Sequence, residues 1–305
     1  MSRPLLPRPA PGDVLLVSTC YEDGKAQWGG LLTKIGKDRD LADGGVRLRP
    51  VENPGWDYVH GGDIPALVPD GGPVPPVAVL VDIPVVFGED GPLLVDLAAV
   101  PGRGVRVPPA RLGEILNGLL GGALTFDDLV RGMDRSGMYM GDAGRPAFPV
   151  PLAPPGRSFP ALPSTDTALL VRTSFDDEDG WHALLDELGG VDEDGCVGMD
   201  DDDEEHAPLT ALVVDDRAFE GLHPGEVPAL VPPGEHTTLV ALADSRTFAE
   251  PGRPLTAVDL YDTPGLPAVL PCHAVGSLAD NLEIGNMDFF EFVAMEGVQP
   301  WWERP

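Results

Sequence analysis

The sequence predicts an α/β protein of two tandem small domains, each a two-layer or three-layer unit with a mainly parallel sheet, an antiparallel edge hairpin and a C-terminal helix. Three observations predict it. The chain matches itself in order along most of its length, short apolar runs alternate with helical periodicity, and the last two apolar runs lie close enough to pair as a hairpin.

The self-match opens with DVLLVSTC from Asp13 and TALLVRTS from Thr167, where adding 154 takes Leu15, Leu16, Val17 and Thr19 to Leu169, Leu170, Val171 and Thr173. A one-residue gap then aligns Trp28 with Trp181. At an offset of 163, His60 falls on His223 and Pro65 on Pro228, each within a segment that ends in ALVP. Asp82 meets Asp244, Asp96 meets Asp259, Pro108 meets Pro271 and Phe126 meets Phe289. These matches place a first domain over residues 10–137, a Pro/Gly-rich linker over 138–164 and a second domain over 165–297. Prolines keep the linker extended, and its apolar side chains suit a strap laid over one domain.

In the second domain, Ala168–Thr173 is an apolar run fit for a strand buried on both faces. DGWHALLDEL follows, with Trp181, Leu184, Leu185 and Leu188 at helical spacing. Leu209–Val214 reads as the next strand and ends in Asp215 and Asp216. HPGEVPALVP is too short and proline-rich for a long helix, although Pro224 followed by Glu226 opens a short one. Thr237–Ala243, Leu255–Leu260 and Ala268–Leu270 give three further strands, the last two joined through the turn at Pro264–Gly265. From Ser277 the pattern predicts one helix, a break at Gly285–Asn286, and a final helix capped by Asn286 or Asp288.

Apolar residues at 43% over 305 residues suffice for two cores, and Gly 38 with Pro 35 foretell many turns. Lys+Arg 20 against Asp+Glu 50 give a formal net charge of -30. That field repels phosphate backbones and anionic lipid, so nucleic-acid and membrane partners are not expected, whereas a protein with a basic surface is. No apolar run reaches membrane-spanning length, the start is unlike a signal peptide, and Cys20, Cys196 and Cys272 form no CxxC pair. A cytoplasmic setting is the expectation, with no metal and no cofactor; the oligomeric state is left open.

Open α/β sheets bind ligands at the carboxyl ends of their strands, which singles out Arg172, Thr173, Asp215, Asp216, Asp244, Asp259 and Asp262 as binding candidates. Carboxylates beside one arginine suit a hard cation or a cationic group, yet Asp also ends strands simply by capping the next turn. The first copy keeps Glu52, Asp82 and Asp96 but has Ser18 and Asn53 where the second has Arg172 and Asp216. His223 and His60 are candidates for a general base, with only Glu226 and Asp63 nearby and no nucleophile motif. Cys272 and His273 would diverge as strand neighbours, the glycine pairs spell no phosphate loop, and DDDDEE at 200–205 lacks the order of a calcium loop. No catalytic residue is assigned.

Asn281, Asn286 and Asp288 surround the apolar patch of the last helix, and the first copy loses both asparagines while keeping the helix phase. That contrast implies a mainly structural first domain and a second domain that carries the functional surface. The stretches LLVRTSF, LVVDD, LTAVDLYD and NLEIGNMDFFEF resemble an uncharacterised family of small acidic α/β domains of actinobacterial proteins, found in one or two copies. The resemblance implies an architecture and brings no catalytic residues with it.

Three functions remain in competition. The leading one is an acidic, non-catalytic protein-binding module, regulatory or acting as an immunity protein does on a basic toxin. The second is a small-molecule or metal-dependent enzyme in which Asp215, Asp216 and Asp244 converge with Arg172 or His223. The third is a homotypic assembly unit built on an apolar last helix.

Overall fold

The computed structural model describes residues 4–35, 45–69, 75–88, 91–134, 136–141, 158–198, 209–232 and 237–295. The chain divides into two compact units, Met1–Val150 and Pro151–Pro305.

In the first unit the strands are β1 (Asp13–Ser18), β2 (Arg47–Val51), β3 (Val77–Val81), β4 (Leu93–Asp96) and β5 (Gly104–Arg106), in the order β2-β1-β3-β4-β5. β1 pairs in parallel with β2 and β3, while β3–β4 and β4–β5 are antiparallel. Successive strand side chains alternate between faces. Leu15, Val17, Ala78, Leu80, Leu93 and Val95 therefore share one face, where they pack with Leu6, Trp56, Val59 and Ile64. Val14, Leu16, Val79 and Leu94, of the opposite phase, are fully buried as well.

The second unit repeats this plan with β6 (Ala168–Arg172), β7 (Cys196–Val197), β8 (Ala211–Val214), β9 (Leu239–Ala243), β10 (Leu255–Asp259) and β11 (Pro267–Leu270). Its order, β11-β10-β9-β6-β8-β7, matches the first sheet strand for strand and adds β7 at the edge. β6 pairs in parallel with β8 and β9; β9–β10, β10–β11 and β7–β8 are antiparallel. The α/β class and the closing hairpin agree with the sequence reading, and the two-residue β7 is the strand of this unit that reading lacked; it also lacked the short helix Ser245–Ala249.

Leu169, Val171, Val240, Leu242 and Val258 form one face of this sheet and pack with Phe219, Leu222 and Val227. The opposite phase carries Leu170, Arg172, Ala241, Ala243 and Ala257, all buried. Small alanines there let the helix Cys272–Glu283 lie against β9 and β10.

Each unit begins before its first strand. Leu6 donates its backbone N–H to the Leu67 carbonyl at 2.8 Å, and Leu162 donates to Leu230 at 2.7 Å. Both leucines are buried in the loop-covered core of their unit. The folded units thus reach back before residues 10 and 165, and the last described part of the expected linker is a strap on the second unit.

Candidate functional site

Arg172 ends β6 on the helix-covered face, and its register partner is Ala243, while Val171 stands opposite Val214. Asp215 and Asp244 therefore follow β8 and β9 on either side of it. The Arg172 side chain is 2% exposed. Its Nε donates to the Ser174 carbonyl at 3.1 Å, Nη1 to Asp215 Oδ1 at 3.3 Å and Nη2 to Glu178 Oε2 at 2.7 Å. Phe175 lies 4.5 Å from the guanidinium carbon and Trp181 5.3 Å from it, both within cation–π range. Trp181 in turn donates its indole N–H to Asp215 Oδ2 at 3.0 Å.

Local sequence explains this closure. Asp177 caps the helix Glu178–Glu187 by accepting from the Gly180 N–H, so Glu178 and Trp181 stand on its first turn facing β6. Burial works against the charge of Arg172, but the hydrogen bond to Glu178 and the charge of Asp215 outweigh it and raise its pKa. The same contact holds the Glu178 carboxyl below its ordinary value. The buried cation is held by groups of the protein itself, and the surface outside it carries exposed carboxylates together with Arg217 over Phe175.

The first unit preserves half of the arrangement. Trp28 donates to Glu52 Oε1 at 2.6 Å, as Trp181 does to Asp215. Ser18 replaces Arg172, and its buried hydroxyl has no hydrogen-bond partner among the described residues. The cation has moved: Lys25, three residues before Trp28 as Glu178 is before Trp181, lies 5.5 Å over the ring of Tyr21.

The other expected residues hold the backbone. Thr173 donates its hydroxyl and its N–H to the Ala243 carbonyl. Exposed Asp216 accepts from the Ala218 N–H and so caps the short 3-10 helix Arg217–Phe219. Asp244 caps the helix Ser245–Ala249, pairs with Arg246 at 2.8 Å and accepts from the Thr256 hydroxyl. The first copy repeats this cap with Asp82, but there the arginine comes from β5, with Arg106 at 2.8 Å.

Asp259 and Asp262 do not join the Arg172 edge, which corrects the expectation drawn from strand ends. β10 runs antiparallel to β9, so Asp259 stands opposite Leu239 at the start of β9. Fully buried Asp259 accepts from the N–H groups of Tyr261, Asp262 and Thr263 at 2.6–3.1 Å. Asp262 accepts from the Phe289 N–H at 2.7 Å, a capping bond to the final helix Phe289–Met295 that the sequence reading gave to Asn286 or Asp288. Asn286 instead donates to Asn281 Oδ1, and Asn281 to the Ser277 carbonyl. Asp288 immediately precedes that helix and is exposed.

His223 opens the 3-10 helix Pro224–Leu230, where its Nδ1 accepts from the Gly225 N–H and its own N–H donates to Glu226. Burial pushes its pKa down. Cys272 and His273 begin a helix, not a strand; Cys272 is buried and His273 exposed. The Cys272 thiol donates to Glu187 Oε1 at 2.9 Å, and burial followed by that carboxylate pushes its pKa up to about 12. Among the described residues no group of three His, Cys, Asp or Glu is arranged to hold a metal, and no helix is long and apolar enough to cross a membrane. The run 200–205 lies outside the described residues.

Sequence reasoning named Arg172 and Asp215 but missed Phe175, Glu178 and the role of Trp181. The readable signal was the aligned tryptophan pair, each with an acid at the end of the neighbouring strand.

A family model described as a domain of unknown function (DUF6924) matches residues 13–142 and again 167–299. No curated protein and no solved structure matches the chain.

Proposed function

The chain belongs to the DUF6924 family and carries its domain twice, and from that premise we propose that it is an acidic, non-catalytic protein-binding module whose second domain meets a basic partner. The observation that carries the reading is the Arg172 node. Its guanidinium is consumed internally, while Asp176, Glu178, Asp179, Asp215, Asp216 and Glu220 around it are exposed. Among the described residues of that neighbourhood Arg217 is the exposed arginine, and it lies over Phe175. Such a rim speeds encounter with a positive surface and disfavours negative ones. Capping by Asp216 and Asp244, which ties both carboxylates to backbone N–H groups, weighs against the enzyme reading. The three free, widely spaced cysteines support a cytoplasmic setting, and the family resemblance an actinobacterial one.

The test is co-purification of the tagged protein from its own cells at low and moderate salt, beside the variant D176N/D179N/E220Q, which spares the carboxylates that hold Arg172. A basic protein that is retained by the parent, and is lost in the variant or with salt, supports the reading. Recovery of the parent alone in both salts overturns it.

A further inference from the structure

The two copies act as controls for each other, and they differ at one edge of the first sheet. The helix Ile83–Phe87 is wholly apolar, yet none of its residues is buried. Ile83 is 44% exposed and Phe87 55%, and Tyr58 is 57% exposed. In the second copy, Asp244 caps its helix as Asp82 does, which sets Ser245 and Ala249 at the places of Ile83 and Phe87. Tyr58 answers to Gly221: each donates its N–H, at 2.8 Å, to the threonine that follows the central strand, Thr19 or Thr173. Both have a left-handed backbone, φ 59° at Tyr58 and 72° at Gly221, a conformation that disfavours tyrosine. Three large side chains thus stand exposed where the sister copy has serine, alanine and glycine, one of them on a strained backbone.

These groups flank the first turn of the helix Tyr21–Ile35. Tyr58 reaches it through its hydroxyl, which donates to Asp23 at 2.7 Å. The helix Ile83–Phe87 reaches it through Val86, packed so closely on Gly24 that a Cβ there would lie 2.7 Å from Val86 Cγ1. Glu22 and Asp23 are exposed on that turn beside half-buried Asp57; the nearby cations are exposed Lys25 and buried Arg106, which is paired with Asp82. The prevailing field is negative: the Cys20 thiol beneath is raised by its burial and then by Asp23, Asp57 and Asp82.

We propose that this edge of the first domain, Tyr58, Ile83 and Phe87 framed by Glu22 and Asp23, is a docking surface for an amphipathic segment of a partner protein whose apolar side chains are flanked by Lys or Arg. Charge complementarity selects the flanks and the three exposed side chains select the apolar anchors. The inference rests on the reading of the chain as a binding module, and it gives the first domain a role beyond the structural one its divergence implied.

The test uses two synthetic peptides with identical Leu and Phe positions, one carrying lysines and the other glutamates. Each is titrated calorimetrically at physiological salt into the full chain, into Y58G/I83S/F87A and into D176N/D179N/E220Q. The first variant installs residues the sister copy already carries there, and thermal melts verify its fold; I83S/F87A serves if the triple variant melts early. The lysine peptide is expected to bind the parent and the rim variant alike and to weaken at least about tenfold on the triple variant, with no binding of the glutamate peptide. Equal binding to parent and triple variant, or no binding to the parent, overturns the proposal. Weakening on the rim variant alone overturns it while sparing the acidic-rim reading. Self-association of the parent in sedimentation, lost in Y58G/I83S/F87A, overturns it by making a second copy the occupant.

Discussion

The indole nitrogen of Trp181 donates to Asp215 at 3.0 Å, and the pair ties the helix after β6 to the end of β8. Trp28 and Glu52 repeat the bond in the first unit. Replacing Trp181 by Phe removes the donor and some packing, and an outcome of about 1–2 kcal/mol lost in urea unfolding is expected. Trp28→Phe should cost a similar amount.

Arg172 separates packing from charge. Arg172→Ala empties a site closed by Phe175 and Trp181, and a loss of about 2–4 kcal/mol is expected. Arg172→Met refills the space, while Glu178 and Asp215, with side chains 60% and 42% exposed, keep their water; the loss should stay below about 1.5 kcal/mol. Equal losses in the two variants would assign the stability to the ion pairs instead.

Glu187 accepts from the Cys272 thiol and pairs with Arg253, and those two contacts hold its pKa below the ordinary value. A folded-state pKa that is depressed stabilises the protein above the unfolded value and is lost as the pH falls through the folded one. Glu187→Gln should therefore lower the melting temperature at pH 7, and the gap to the parent should close as the pH drops below about 4. The Cys272 thiol, pushed up to about 12, should resist alkylation at pH 8 until the protein unfolds.

For His223 the sign is the same, but the protonation that costs stability creates a charge instead of removing one. Burial depresses its pKa, so the unfolded chain takes up the proton first and stability falls as the pH drops below about 6.5. His223→Asn keeps an acceptor for the Gly225 N–H and cannot titrate. Melting temperatures recorded from pH 7.5 to 5 should show a smaller decline in the variant than in the parent.

The strands were legible because their apolar runs are unbroken: Ala168–Arg172, Leu239–Ala243 and Leu255–Asp259 fall within the segments read from sequence. The direction of β10 was not read, although the segment from Asp244 to Pro254 is too short for an ordinary parallel crossover. With that length weighed, Asp259 and Asp262 would have been placed at the far edge from the start. β7 escaped because two residues show no periodicity, and its pairing with β8 is a tertiary fact. The Arg172 node was half legible. Arg172 and Asp215 stood at strand ends, but the contacts of Phe175 and Glu178 depend on how the loop before the helix folds back.

The displaced cation has a genetic consequence. Two similar halves of one coding sequence can recombine with each other. A first copy that received β6 alone would bring Arg172 without Glu178, whose place in the helix is held by Lys25. A second copy that received the helix Tyr21–Ile35 would exchange the Glu178 contact for a like charge beside a buried guanidinium. A chimera that joins the strand of one copy to the helix of the other therefore lacks the Arg172–Glu178 pair in either direction.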